Sequence, residues 1–173
     1  SMSVAGNISP ILFLTFRSLY GISYSLLGLL VLINFVTQFL VDMAFSLWPS
    51  KFNVSRAVKI TPILTAVGLM IYGLWPLFLP QWAYLGLVIG TIVFSASGGL
   101  CEVLISPVIA AIPSDNPSRE MSKLHSVYAW GVVVFIIVST LFLYVAGNEN
   151  WVWIPLFFSV VPIFAAVLFY PTE

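Results

Sequence analysis

Apolar residues along this chain fall into long runs, broken by short polar clusters. A helix that crosses a membrane needs roughly 20 mostly apolar residues. Five runs reach that length, at residues 24–48, 57–79, 83–112, 127–146 and 151–170. The first ends at the cluster PSKFNVSR, and the second closes at Pro80-Gln81. The opening stretch SMSVAGNISPILFLTF is different. It is shorter and carries Gly6, Asn7 and Pro10, so the pattern predicts a partial helix over about 7–16. It reads as the outer half of a spanning helix whose first turns are absent, with a re-entrant segment as the other reading. No run alternates with the period of a strand, which excludes a β-barrel. The expected fold class is therefore all-α, a polytopic membrane helix bundle forming one transmembrane domain over 1–173. Short connections favour antiparallel neighbours.

Composition strengthens this picture. Of the 173 residues, 61% are hydrophobic and 7% are charged, against about 25% charged in an ordinary soluble domain. A water-facing surface cannot be built from such a chain, so the lipid bilayer is its expected surroundings. Six basic and six acidic residues cancel, so net charge says nothing about nucleic acid, and none is an expected partner. The one cysteine, Cys101, forbids an internal disulfide and lies among apolar neighbours, where packing is its expected role. Ser1 to Ser9 lacks the basic n-region of a secretory signal peptide.

The basic residues predict an orientation. Lys51, Arg56 and Lys59 flank the second connection, Arg119 and Lys123 lie in the fourth, and only Arg17 falls on the opposite side. By the positive-inside rule those two connections and the C-terminus are cytoplasmic. Trp48, Trp82, Trp151 and Trp153 fall near the expected interfaces, as an aromatic belt requires.

Candidate chemistry is confined to a few polar residues inside the apolar runs. Asn34, Gln38 and Asp42 recur every four residues and share one face of the second helix. Such a stripe faces the bundle or a hydrated path rather than lipid. Asn34 and Gln38 read equally as hydrogen-bonding glue between helices or as lining of a path. Asp42 lies nearer the cytoplasmic end, where pairing with a basic loop residue is expected over solute contact. Glu102 lies about eleven residues before the cytoplasmic end of its helix, about 16 Å deep at 1.5 Å per residue. A bare carboxylate in a low-dielectric interior is very costly, so it needs a partner, a proton or water. It reads either as a neutral acid bonding two helices or as a group that gains and loses a proton. Ser95, Ser97, Gly98 and Gly99 beside it allow close helix approach, and Ser106-Pro107 opens the backbone ladder. His125, with Tyr128 and Trp130, reads as an interfacial histidine or as a wall of a cavity below Glu102. Aromatic rings beside hydrogen-bonding groups suit a sugar-like solute. With one histidine and one cysteine on different helices, and no H-E-x-x-H, G-x-S-x-G or Cys/His cluster, the chain offers no catalytic centre, metal site or cofactor site.

The stretches GGLCEVLISPVIAAIP, REMSKLHSVYAWG and YSLLGLLVLINFVTQFLVD resemble the N-terminal half of major facilitator superfamily transporters, nearest to the fucose-permease-like sugar:proton symporters. In that branch helix four carries a Gly-rich stretch, a glutamate and an Asn-Pro-like pair; Glu102 and Ser106-Pro107 are the counterparts. His125 occupies a helix-five position that faces solute, and Asn7 matches a polar position in helix one. Lys51 and Arg56 match basic positions of the gating loop between helices two and three. Ser50 stands where that loop has an acid and Asn53 where it has a glycine, while Pro10 stands near the branch's helix-one acid.

The resemblance implies half of a major facilitator fold with helix one truncated. It implies a secondary transporter that moves a small polar solute with protons across the cell membrane by alternating access. Such transporters use two six-helix halves, so a second half is an expected partner, on the same polypeptide, as a second copy or as a separate chain. Of these, a fragment of a longer transporter is favoured. A non-transporting membrane scaffold or assembly subunit is the alternative.

Overall fold

The computed structural model describes residues 2–111 and 113–170, and among these the chain is all-helical. The helices are α1 (Met2–Tyr20), α2 (Tyr24–Leu47), α3 (Val54–Phe78), α4 (Ala83–Ala111), α5 (Pro117–Ala146) and α6 (Trp153–Phe169). Five segments, covering all of these but α1, are long and apolar enough to cross a membrane. Local chemistry sets the boundaries. Ser23 Oγ accepts from the Leu26 N–H, Asn53 Oδ1 from Arg56 and Asn116 Oδ1 from Arg119, each satisfying a donor that a helix start leaves free. Gly21 at φ 64° and Gly147 at φ 84° end α1 and α5 in a backbone region closed to most side chains.

Three expectations are corrected. The opening stretch is a 19-residue helix, neither a stub over 7–16 nor a re-entrant segment. Pro10 removes one helical hydrogen bond, while the Asn7 amide donates to the Ser3 carbonyl at 2.9 Å and runs with the helix. Helix α5 begins ten residues before 127, because Asn116 and Pro117 start it and the Lys123–Glu120 ion pair at 2.7 Å supports its first turns. Trp151 is buried in the core, whereas Trp48, Trp82 and Trp153 are exposed. The expected end of the fourth helix at residue 112 lies outside the described residues, as does the side chain of Ser106.

Helix α4 is the hub, touching α1, α2, α3 and α5, and its closest neighbour is α3. In that contact glycines on each helix admit the other helix's chain closely. Phe94 of α4 fills the space over Gly68 of α3, where a Cβ would stand 2.5 Å from the Phe94 nitrogen. Tyr72 of α3 fills the space over Gly90 of α4, where a Cβ would stand 2.7 Å from the Tyr72 nitrogen, and Gly86 sits against the Trp75 ring. Between apolar helices in lipid the hydrophobic effect gives little net attraction, so packing of this kind and interhelical hydrogen bonds must hold the pair. Hydroxyls extend the seam: Ser97 Oγ meets Thr65 Oγ1 at 2.5 Å and donates to the Thr61 carbonyl at 2.8 Å.

Tyr72 also anchors α1, its hydroxyl 2.8 Å from Ser9 Oγ. Its ring packs edge-on against Phe16, Phe94 and Trp151, with centroids 5.5–6.3 Å apart. Large apolar side chains are exposed along α2, α5 and α6, as a lipid-facing surface requires. Prolines interrupt α1 (Pro10), α3 (Pro62, Pro76), α4 (Pro107) and α6 (Pro162); α2 and α5 carry none beyond their first turn.

Gly90→Ala is expected to destabilise the protein by about 1–3 kcal/mol, as overpacking does, because its methyl group meets Tyr72 backbone. Gly28→Ala, with nothing within 4 Å of the added carbon, is expected to leave stability unchanged or slightly raised. Thermal unfolding of both variants in detergent checks this, and equal melting temperatures would discard this close packing of α3 on α4.

Candidate functional site

A cavity of about 350 Å³ opens among α1, α2, α4 and α5, and five polar side chains singled out in the sequence line it: Asn7, Gln38, Glu102, His125 and Tyr128. It lies toward the end of the bundle that carries the α2–α3 and α4–α5 connections. Glu102 stands nine residues short of Ala111, about 14 Å along the axis at 1.5 Å per residue.

Each element delivers its side chain for a local reason. On α4, Gly98 and Gly99 let α2 approach so closely that a Cβ on Gly99 would stand 2.8 Å from the Gln38 carbonyl oxygen. Small residues of this kind are what allow helices to meet in a membrane, and here they bring Gln38 beside Glu102. On α1, Gly6 keeps the backbone near α5, with a Cβ placed there 3.8 Å from the Tyr128 hydroxyl. Ser3 Oγ donates to the Tyr128 carbonyl at 3.1 Å and ties the same two helices together.

Asn34 is set apart from this group. It is buried, and its Oδ1 accepts from Ser95 Oγ at 2.5 Å and from Gln38 Nε2 at 3.0 Å. It clasps α2 to α4 and orients Gln38, and does not itself line the cavity. Of the two readings the sequence leaves open for Asn34, the geometry is that of interhelical glue.

Glu102 and His125 are exposed to the cavity, and neither has a hydrogen bond or ion pair to another described residue. Among the described residues no loop carbonyl bonds His125, which lines the cavity. Among the described residues the one ion pair is Lys123–Glu120. The expected pairing of Asp42 with a basic loop residue is not made among the described residues, and Lys51 lies over the Trp48 ring at 5.9 Å. Asp42, Lys51 and Arg56 thus stand outside the cavity and unlinked to one another by ion pairs.

Phe35, Gly98, Cys101, Ile105 and Leu124 also line the cavity. The helical period carried a signal for most of them. Gly98, Cys101 and Ile105 share the face of Glu102, Phe35 lies one turn from Gln38, and Leu124 one turn from Tyr128. Gly6 carried none, since its place depends on how α1 meets α5. The arrangement offers one ionisable carboxylate, two amides, an imidazole and a phenol around a space the size of a small solute. Among the described residues no group of three or more His, Cys, Asp or Glu side chains is placed to hold a metal ion.

Comparison with known proteins finds no family model, no curated relative and no solved structure that matches this chain.

Proposed function

We propose that the chain is one half of a proton-coupled secondary transporter for a small polar solute, with Glu102 as the group that gains and loses the proton. The observation that carries this reading is a carboxylate in an apolar spanning helix, with no ion pair or hydrogen bond to a described residue, facing a cavity lined by helices α1, α2, α4 and α5. An intramembrane acid is costly to keep, and one that opens on a cavity is poised to exchange a proton or contact a solute. A purely structural acid would be expected to hydrogen-bond a neighbouring helix, as Asn34 does. Gln38, Asn7, His125 and Tyr128 then line the solute path.

In this reading the chain is a half of the major facilitator kind, of the fucose-permease-like branch, and the order of helix contacts is compatible with the three-helix repeats of such a half. Exchanging α1–α3 with α4–α6 carries the α2–α4 contact onto α5–α1 and the α1–α2 contact onto α4–α5, and leaves α3–α6 on itself. The exchanged helices run in opposite directions, as inverted three-helix repeats do. The α3–α4 contact has no equally close α6–α1 counterpart. In this reading the second half closes the cavity from the far side, and rocking of the two halves exposes Glu102 alternately. The basic connections and the C-terminus are cytoplasmic in a cell membrane, and Lys51, Arg56 and Asp42 lie at the gating end.

In proteoliposomes under an imposed pH gradient, Glu102→Gln is expected to reduce proton flux coupled to solute uptake at least tenfold while leaving the melting temperature unchanged. Full coupling in that variant removes Glu102 from the mechanism. If no solute moves and none stabilises the purified protein against heat, the scaffold reading takes its place. Orientation has its own check. In a Cys101→Ala background in intact cells, a membrane-impermeant maleimide should label Asn148→Cys and spare Phe52→Cys; the reverse pattern inverts the topology.

A further inference from the structure

We infer that the cavity selects a small organic cation over a neutral or anionic solute of the same size. This names the solute class for the site proposed above and rests on that reading of the cavity.

The argument is an accounting of donors and acceptors. Asn7 turns its amide nitrogen into the wall, donating to the Ser3 carbonyl at 2.9 Å. Gln38 does the same, its Nε2 donating to Asn34 Oδ1 at 3.0 Å. A planar amide whose nitrogen is tied into the wall has its oxygen at the other end, and neither oxygen takes a hydrogen bond from a described residue. Pro10 has no N–H to give the Gly6 carbonyl, so that cavity-lining residue also has an acceptor freed from the helix ladder. Glu102 adds a carboxyl group, which in its ionised form has acceptors and no donor. Beyond the second N–H of each wall-tied amide, the donors that remain are His125 and the Tyr128 hydroxyl, both from α5.

Charge points the same way. The lining includes one carboxylate and no lysine or arginine, so an anionic solute finds nothing to neutralise it and a carboxylate to repel it. A neutral polyol satisfies the acceptors but leaves the Glu102 charge unpaired. An ammonium group supplies the donors and the charge together. The rings of Phe35 and Tyr128 belong to the same wall, and aromatic faces attract organic cations. A bare metal ion fits less well, because a single carboxylate is a poor cage for a hard cation and the space of about 350 Å³ is far larger than an ion needs.

Three solutes that share a sugar ring and differ in charge test this: protonated glucosamine, glucose and glucuronate. Binding of each to the purified full chain in detergent is measured by titration calorimetry. Glucosamine is expected to bind at least tenfold more tightly than glucose, and glucuronate not at all. Glu102→Gln, with an unchanged melting temperature as the check on folding, is expected to bring glucosamine down to the level of glucose. Glucose binding as tightly as glucosamine, glucuronate binding best, binding by none of the three, or a preference that survives Glu102→Gln would each overturn the inference. The two readings fail separately. Binding in the expected order without proton-driven uptake removes the transport function and leaves this selectivity standing. Proton-driven uptake with no preference for the cation does the reverse.

Discussion

The bundle depends on how closely α3 and α4 approach. In lipid, a pair of apolar helices gains almost nothing by hiding apolar surface from its surroundings, so contact must come from shape and hydrogen bonds. Gly68 under the Phe94 backbone and Gly90 under the Tyr72 backbone supply the shape, each helix offering a hollow to the other's chain. The serine and threonine hydroxyls at Ser97, Thr65 and Thr61 supply the bonds. Tyr72 then passes the constraint outward, by its hydroxyl to Ser9 on α1 and by its ring to Phe16 and Trp151. One close helix pair thereby sets the position of elements it does not touch along its own seam.

Helix α4 performs two tasks on two faces. Gly86, Gly90, Phe94 and Ser97 turn toward α3, while Ser95, Gly98, Gly99 and Glu102 turn toward α2 and the cavity. The 3.6-residue period separates the centres of the two sets by about 135°. The structural face fixes the functional one: because α4 is pinned on α3, the carboxylate has a definite place. The Asn34–Ser95 bond pins α2 from the other side, and Gln38 takes its orientation from Asn34. Two bonds converging on the Asn34 oxygen hold the α2–α4 register at this level.

How much of this could be read from the residues differs by feature. Apolar runs and cap residues carry the helix count and most boundaries, because membrane thickness and backbone satisfaction leave few choices. The small residues beside Glu102 announce close approach, and the structure finds α2 lying on Gly98 and Gly99. The length of α1 was hidden, because Pro10 and Asn7 carry the composition of a break while the local bonds keep the helix going. The start of α5 was hidden by its polar turns, which a hydropathy pattern assigns to loop. Trp151 looked interfacial by position along the chain, and only the convergence of α1, α3 and its own turn makes it core. Periodicity grouped Asn34 with Gln38, but the partner that separates their roles, Ser95, is sixty-one positions away. Such pairings exist only once the helices are assembled.

The distribution of proline has a mechanical consequence. A helix without proline keeps its whole ladder of backbone bonds, and in hydrocarbon each broken bond costs several kcal/mol, so α2 and α5 behave as stiff struts. The four proline-bearing helices have gaps in that ladder already and bend there first. Bending that reshapes the cavity therefore falls on α1 and α4, which hold Asn7 and Glu102, while α2 and α5 contribute by moving as whole rods.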